Sequence, residues 1–336
     1  MKKESNINFQ RILKYTSISI VSILILFLLI INLTPIPISL LIRKTFENGI
    51  ATEPNNYQQY VTSVQKITNL EYPSKFKDNT ADLYLPKNSE MYPIIIWIHG
   101  GAFVGGDKRD VKEYATMLAS NGYAVLAANY ERAPELKYPK QLNQIEEIHE
   151  YLLTISQKYN IDSNNIILAG DSAGAHLVSQ FALIQTSSEY AKKMNFKQTI
   201  PEDKLKALLL YSGPFDVEEI TKTKSKIMSL MFSQSAWAYF GIRNWESEYG
   251  EITTIKNHIT PNFPATFITD GNTGSFASHA KDLILELEKN NIKTASYFID
   301  EKVKRGHEYQ FKLDTDEGMK SLEETLKFLK SIEKYS

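Results

Sequence analysis

Ser172 stands in the run Gly170-Asp-Ser-Ala-Gly174, directly after the four apolar residues 166–169 and before a stretch able to continue as a helix. A serine on a sharp turn between a buried strand and a helix has its Oγ pushed out at the carboxyl edge of the sheet. Its neighbours at two residues on either side must be small, because bulkier side chains would collide in that turn. The helix beginning there aims N–H groups and its positive end at whatever charge forms on the serine. These properties suit acyl transfer, with Ser172 as nucleophile. A second Gly-rich turn, His99-Gly-Gly-Ala-Phe103, follows the apolar run 94–98. Main-chain N–H groups of Gly100 and Gly101, joined by that of Ala173, are candidates to hold an oxyanion, where one donor contributes about 3 kcal/mol to the transition state. The spacing of these glycines is not G-x-G-x-x-G and no Gly-Lys-Ser/Thr opens a helix nearby, which speaks against a nucleotide cradle.

Together the two motifs resemble those of the α/β-hydrolase superfamily, and specifically carboxylesterases of the hormone-sensitive-lipase and bacterial feruloyl-esterase-like groups. The resemblance spans roughly 73–330 and includes Gly106-Asp107, Tyr130-Glu-Arg-Ala-Pro-Glu135 and Tyr138-Pro139 beside the motifs above. It implies a catalytic triad of serine, acid and histidine in that chain order, and no cofactor. The histidine it implies is His307 in Lys304-Arg-Gly-His307, placed after the last candidate strand and before the last helix. His176 is read as packing beside the serine, His99 as holding the Gly-rich turn, and the other three as surface or packing residues. For the acid, the family pattern of an Asp three residues after a strand-ending Gly leads from Gly271 to Gly274, which has no side chain. Asp270 and Asp216 are the two candidates; a serine-histidine dyad supported by Asn272 or Ser275 is the remaining possibility. The bland duties of the two aspartates are to cap a turn and to begin a helix.

These groups need a scaffold. Candidate strands at 64–70, 81–85, 94–98, 124–128, 166–169, 207–211, 265–269 and 294–298 alternate with candidate helices at 110–120, 142–155, 174–184, 276–289 and 316–330. Such alternation argues for a mostly parallel central sheet with helices on both faces, here the α/β-hydrolase fold. Residues 217–258 break the alternation and read as a helical cap inserted over the carboxyl edge of the sheet. Its aromatic residues either pack or line a pocket; Trp237, with Phe103 from the Gly-rich turn, is the candidate for substrate binding.

The amino-terminal region differs from the rest of the chain. No residue from Tyr15 to Ile42 is charged, and the apolar run is long enough for the roughly 20 residues that span a bilayer. Residues 1–42 are therefore read as a short cytoplasmic end and a transmembrane anchor, 43–63 as a polar tether, and 64–336 as the hydrolase domain. Lys2, Lys3, Arg11 and Lys14 precede the run against Arg43 and Lys44 after it, which favours an extracytoplasmic body. A cleaved signal peptide is the alternative, although no small-x-small site follows Leu33. Across all 336 residues, 38 basic and 39 acidic side chains leave a charge of −1, with no basic stripe to attract nucleic acid. Cysteine is absent, which excludes disulfides and thiolate chemistry.

The expectation is a membrane-tethered serine esterase acting on small or medium acyl esters, with no cofactor and no metal. An amidase or peptidase on the same fold, and a catalytically weakened binding domain at the cell surface, are the alternatives. Oligomeric state is not legible in the sequence.

Overall fold

The computed structural model describes residues 2–47, 49–87, 91–223 and 225–333. Helices α1 (Lys2–Leu33), α2 (Ile36–Thr45) and α3 (Tyr57–Thr62) precede the strands β1 (Val64–Glu71), β2 (Thr80–Pro86) and β3 (Tyr92–Ile98). Helix α4 (Lys112–Ser120), strand β4 (Ala124–Ala128), helix α5 (Lys140–Ile155), strand β5 (Ile161–Asp171) and helices α6 (Ala173–Thr186) and α7 (Ser188–Met194) follow. Strand β6 (Leu205–Tyr211) is separated from β7 (Ala265–Asp270) by α8 (Lys226–Phe240) and α9 (Trp245–Thr253). Helix α10 (Ala277–Lys289), strand β8 (Thr294–Phe298) and α11 (Asp316–Glu333) close the chain.

The described strands form one eight-stranded sheet in the order β1-β2-β4-β3-β5-β6-β7-β8. β2 runs antiparallel to both β1 and β4, and every pair from β4 through β8 is parallel. The fully apolar β3 is explained by its place: Ile94, Ile96 and Ile98 enter the core on one face, Ile95 and Trp97 the core on the other. Trp97 stacks on Tyr211 at 5.2 Å and meets Tyr114 edge-on at 5.5 Å, an aromatic cluster on that second face.

Two expectations about the amino-terminal region are corrected. The apolar helix ends at Leu33, and residues 36–42, expected inside the membrane segment, form α2 on the body, with Ile38 and Ile42 in the main core. Residues 43–63 are not a loose tether. Arg43 pairs with Glu135 at 2.6 Å and donates to the carbonyls of Val104 and Ala133, while Tyr57 is buried with its hydroxyl on Thr116. Polar composition hid this because the anchoring contacts are made by a few side chains reaching distant segments.

Candidate active site

The turn between β5 and α6 puts Ser172 at φ 48° and ψ −118°, a backbone region that costs of order 1–3 kcal/mol for a non-glycine residue. Hydrogen bonds from Ser172 N to the Tyr211 carbonyl at 2.8 Å and from His176 N to the Ser172 carbonyl at 3.2 Å hold it there. The flanking glycines are required by close approach. A Cβ at Gly174 would lie 2.0 Å from the Ile98 carbonyl oxygen, and one at Gly170 would lie 2.5 Å from the Gly174 backbone.

His307 comes from the loop after β8. Its Nε2 lies 2.9 Å from Ser172 Oγ, and its Nδ1 lies 2.7 Å from Ser275 Oγ. The Ser275 hydroxyl donates in turn to Asp270 Oδ1 at the end of β7. Ser172, His307, Ser275 and Asp270 are thus joined in one unbroken chain of hydrogen bonds. Burial raises the Asp270 carboxyl to about 7, against hydrogen bonds from Ser275 and Ser212 that lower it. Burial also lowers the His307 imidazole to about 4, an effect limited by the 28 % of its side chain that stays open.

Asp216 is not part of this chain. Its carboxylate pairs with Lys256 Nζ at 2.6 Å, and its backbone N–H donates to His279 Nδ1 at 3.3 Å. Asn272 ties loops together, donating to the Val303 carbonyl at 2.7 Å, and does not contact His307.

The Gly-rich turn differs from expectation at one donor. Gly100 N already donates to Asp171 Oδ2 at 2.7 Å, so its N–H is committed within the protein and is not open to an oxyanion. Gly101 reaches φ 106°, and its own carbonyl accepts from Val104 N and Gly105 N. Among the described residues no acceptor takes the N–H of Gly101 or of Ala102. Ala173, as the first residue of α6, has no partner for its N–H within the helix. Gly101, Ala102 and Ala173 therefore present the open donors, with Ala102 and Ala173 lining the same cavity as Ser172.

Asp171 also accepts from Trp97 Nε1 at 2.7 Å and faces the buried carboxyl of Glu308, the residue after His307. Burial and the neighbouring Asp171 charge push Glu308 well above the usual carboxylate range. His99 stacks on Tyr130 at 4.6 Å with Nδ1 on the Gly100 carbonyl, and His176 bonds the Thr253 carbonyl at 2.9 Å.

The cavity at Ser172 is apolar and small, about 20 Å³, lined by Phe103, Pro214, Ile220, Phe232, Ala236 and Phe276 among others. A neighbouring cleft of about 390 Å³ shares Ile220, Phe232 and Phe276 with it. Phe103 lines the pocket, stacked on Tyr239 at 4.0 Å. Trp237 does not. Phe232, Ser235 and Ala236 face the pocket, and one further residue turns the helix by about 100°, leaving the Trp237 ring half-buried beneath Arg243 at 5.5 Å.

A family model, BD-FAE, matches residues 81–286. The chain is 30 % identical over 112 residues to an acetyl esterase of Salmonella schwarzengrund, a match spanning 33 % of this chain and 34 % of that protein. The chain thus spans less than half of the length of the curated relatives it matches. Among solved structures, esterase B of Lactobacillus rhamnosus superposes with a TM-score of 0.71 at 21 % identity, over 84 % of this chain and 91 % of that one. A hyperthermophilic esterase of Pyrobaculum calidifontis superposes with a TM-score of 0.65 at 17 % identity, over 87 % and 91 %. At these identities the superpositions speak to the fold, which is that of the α/β hydrolases.

Proposed function

Because this chain belongs to the BD-FAE family, we propose that it is a serine carboxylesterase that transfers small acyl groups through Ser172 to water. The observation that carries this reading is the 2.9 Å approach of His307 Nε2 to the hydroxyl of a serine held at a strained turn. His307 takes the Ser172 proton as Oγ attacks the ester carbonyl, and the N–H groups of Gly101, Ala102 and Ala173 hold the oxygen that becomes negative. Collapse breaks the bond to the alcohol, which leaves with the proton from Nε2. Water then gives a proton to the same nitrogen, attacks the acyl-enzyme and restores the serine. Asp270 acts through the Ser275 hydroxyl, so the missing side chain at Gly274 does not imply an inert domain. A fluorophosphonate is expected to label Ser172, and p-nitrophenyl acetate to give a burst; an unlabelled Ser172 in folded protein would refute the enzyme.

The size of the cavity favours a short acyl group. About 20 Å³ of apolar space is little more than one water occupies, which suits an acetyl methyl better than a longer chain. Phe232→Ala joins this space to the larger cleft, and should raise kcat/KM for hexanoate relative to acetate by about 10-fold or more. An unchanged chain-length series would remove Phe232 as the limiting wall.

We read α1 as a retained anchor, with the amino terminus cytoplasmic and the body outside. The apolar stretch Arg11–Leu33 is long enough to cross a membrane by length and composition. Its last turn also packs with the body: Ile31 is buried, and Gln234 and Arg243 hydrogen-bond to the carbonyls of Ile31 and Asn32. Protease added to intact cells should degrade the body; complete protection would reverse the orientation.

A further inference from the structure

We infer that the outer face of α2 and α8 rests in the surface of the lipid bilayer that α1 enters, so that the domain lies against the membrane; this depends on the anchor reading above. Helix α2 is apolar on both sides from Ile36 to Ile42. Ile38 and Ile42 enter the core on one side, while Ile36, Leu40 and Leu41 on the other are 47 %, 49 % and 60 % exposed. A short helix apolar all round needs cover on both sides, and the protein supplies one.

Helix α8, which packs on α2, continues this surface. Its Ile227 is 73 % exposed and Leu230 is 44 % exposed. Gln234, one turn beyond Leu230 on the helix, bonds to the Ile31 carbonyl at the end of α1. The patch therefore runs up to the point where the apolar span leaves the body, where Leu33 is 78 % exposed. Neither helix contains an acidic residue; besides Arg43, which is paired with Glu135, their charges are the exposed Lys44 and Lys226, suited to anionic headgroups. At the margin Arg243 lies over Trp237 and reaches Asn32, a combination of aromatic ring and long cation that favours the boundary between lipid and water. Elsewhere on the body, among the described residues, exposed large apolar side chains fall singly, at Val61, Met91, Leu153 and Leu285. Such scattered residues need no partner, whereas a contiguous patch beside a membrane helix does.

The absence of cysteine makes the test direct. Leu24→Cys, Leu40→Cys, Ile227→Cys and Leu285→Cys variants of the full chain would each be labelled with an environment-sensitive nitrobenzoxadiazole dye. They would be reconstituted in phosphatidylcholine/phosphatidylglycerol vesicles with and without brominated acyl chains. Dyes at 24, 40 and 227 are expected to be quenched about two-fold or more by the brominated lipid, and the dye at 285 to be unaffected. Quenching at 24 but not at 40 and 227 would overturn the contact while leaving the anchor intact. No quenching at 24 would overturn the anchor and the contact with it. Dyes at 40 and 227 shielded from both brominated lipid and aqueous iodide would show that protein, a partner or a second copy, covers this face, and would also overturn it.

Discussion

Replacing Ser172 with alanine is expected to lower kcat/KM for p-nitrophenyl acetate by about 10⁴-fold or more, with a folded protein and unchanged secondary structure. Alanine inherits the same strained backbone, φ 48°, so the turn does not gain a new penalty and the effect falls on chemistry. The hydroxyl is the only group at that point able to form the acyl intermediate, and the open donors of Gly101, Ala102 and Ala173 remain. They retain a fraction of the acceleration by favouring attack of water on the polarised carbonyl. Steady-state rates and loss of the acetate burst check the outcome together; a loss smaller than 100-fold, on the order of one missing hydrogen bond rather than a missing nucleophile, would count against Ser172.

The second large effect belongs to Asp270, and its sign follows from the direction of two hydrogen bonds. When Asp270 is ionised, the Ser275 hydroxyl must donate to it and is left to accept the Nδ1 proton of His307. Nε2 then carries the lone pair that faces Ser172. Asp270→Asn supplies a donor instead, turning the Ser275 hydroxyl toward Nδ1 and placing the imidazole proton on Nε2. That tautomer cannot accept from serine, and kcat should fall about 10³- to 10⁴-fold. Protonation of Asp270 does the same to the native enzyme. Its productive form is the ionised one, present above its folded pKa, so kcat/KM should fall as pH drops through about 7 rather than about 4, where His307 itself gains a proton. Ser275→Ala breaks the link and should move the acid limb toward the lower value while costing about 10- to 100-fold in rate. A limb that stays near 7 in Ser275→Ala would show that Asp270 does not act through that hydroxyl.

What the sequence made legible was local. The turn at Ser172 needs only an apolar strand before it, a helix after it and small residues beside it, and all three lie within a few positions of each other. The parallel sheet was equally readable, because a strand covered on both faces must be apolar throughout, as β3 is. The acid was harder: a carboxylate that reaches the imidazole through another side chain's hydroxyl leaves no fixed spacing to search for. Gly100 looked like a donor because spacing cannot reveal that the carboxylate of Asp171, next to the serine, already occupies its N–H. Trp237 was placed in the pocket by composition and removed from it by helical phase. The docking of 43–63 depends on Arg43 and Tyr57 finding partners far along the chain, which a polar stretch of low periodicity does not disclose.

The meeting of the buried carboxyl groups of Asp171 and Glu308 has a mechanical meaning as well. Asp171 grips the Gly-rich turn through the N–H of Gly100, and Glu308 is the immediate chain neighbour of His307. Two segments far apart in the chain, one ending in Ser172 and the other following His307, are thereby keyed to each other as if by a buried dowel.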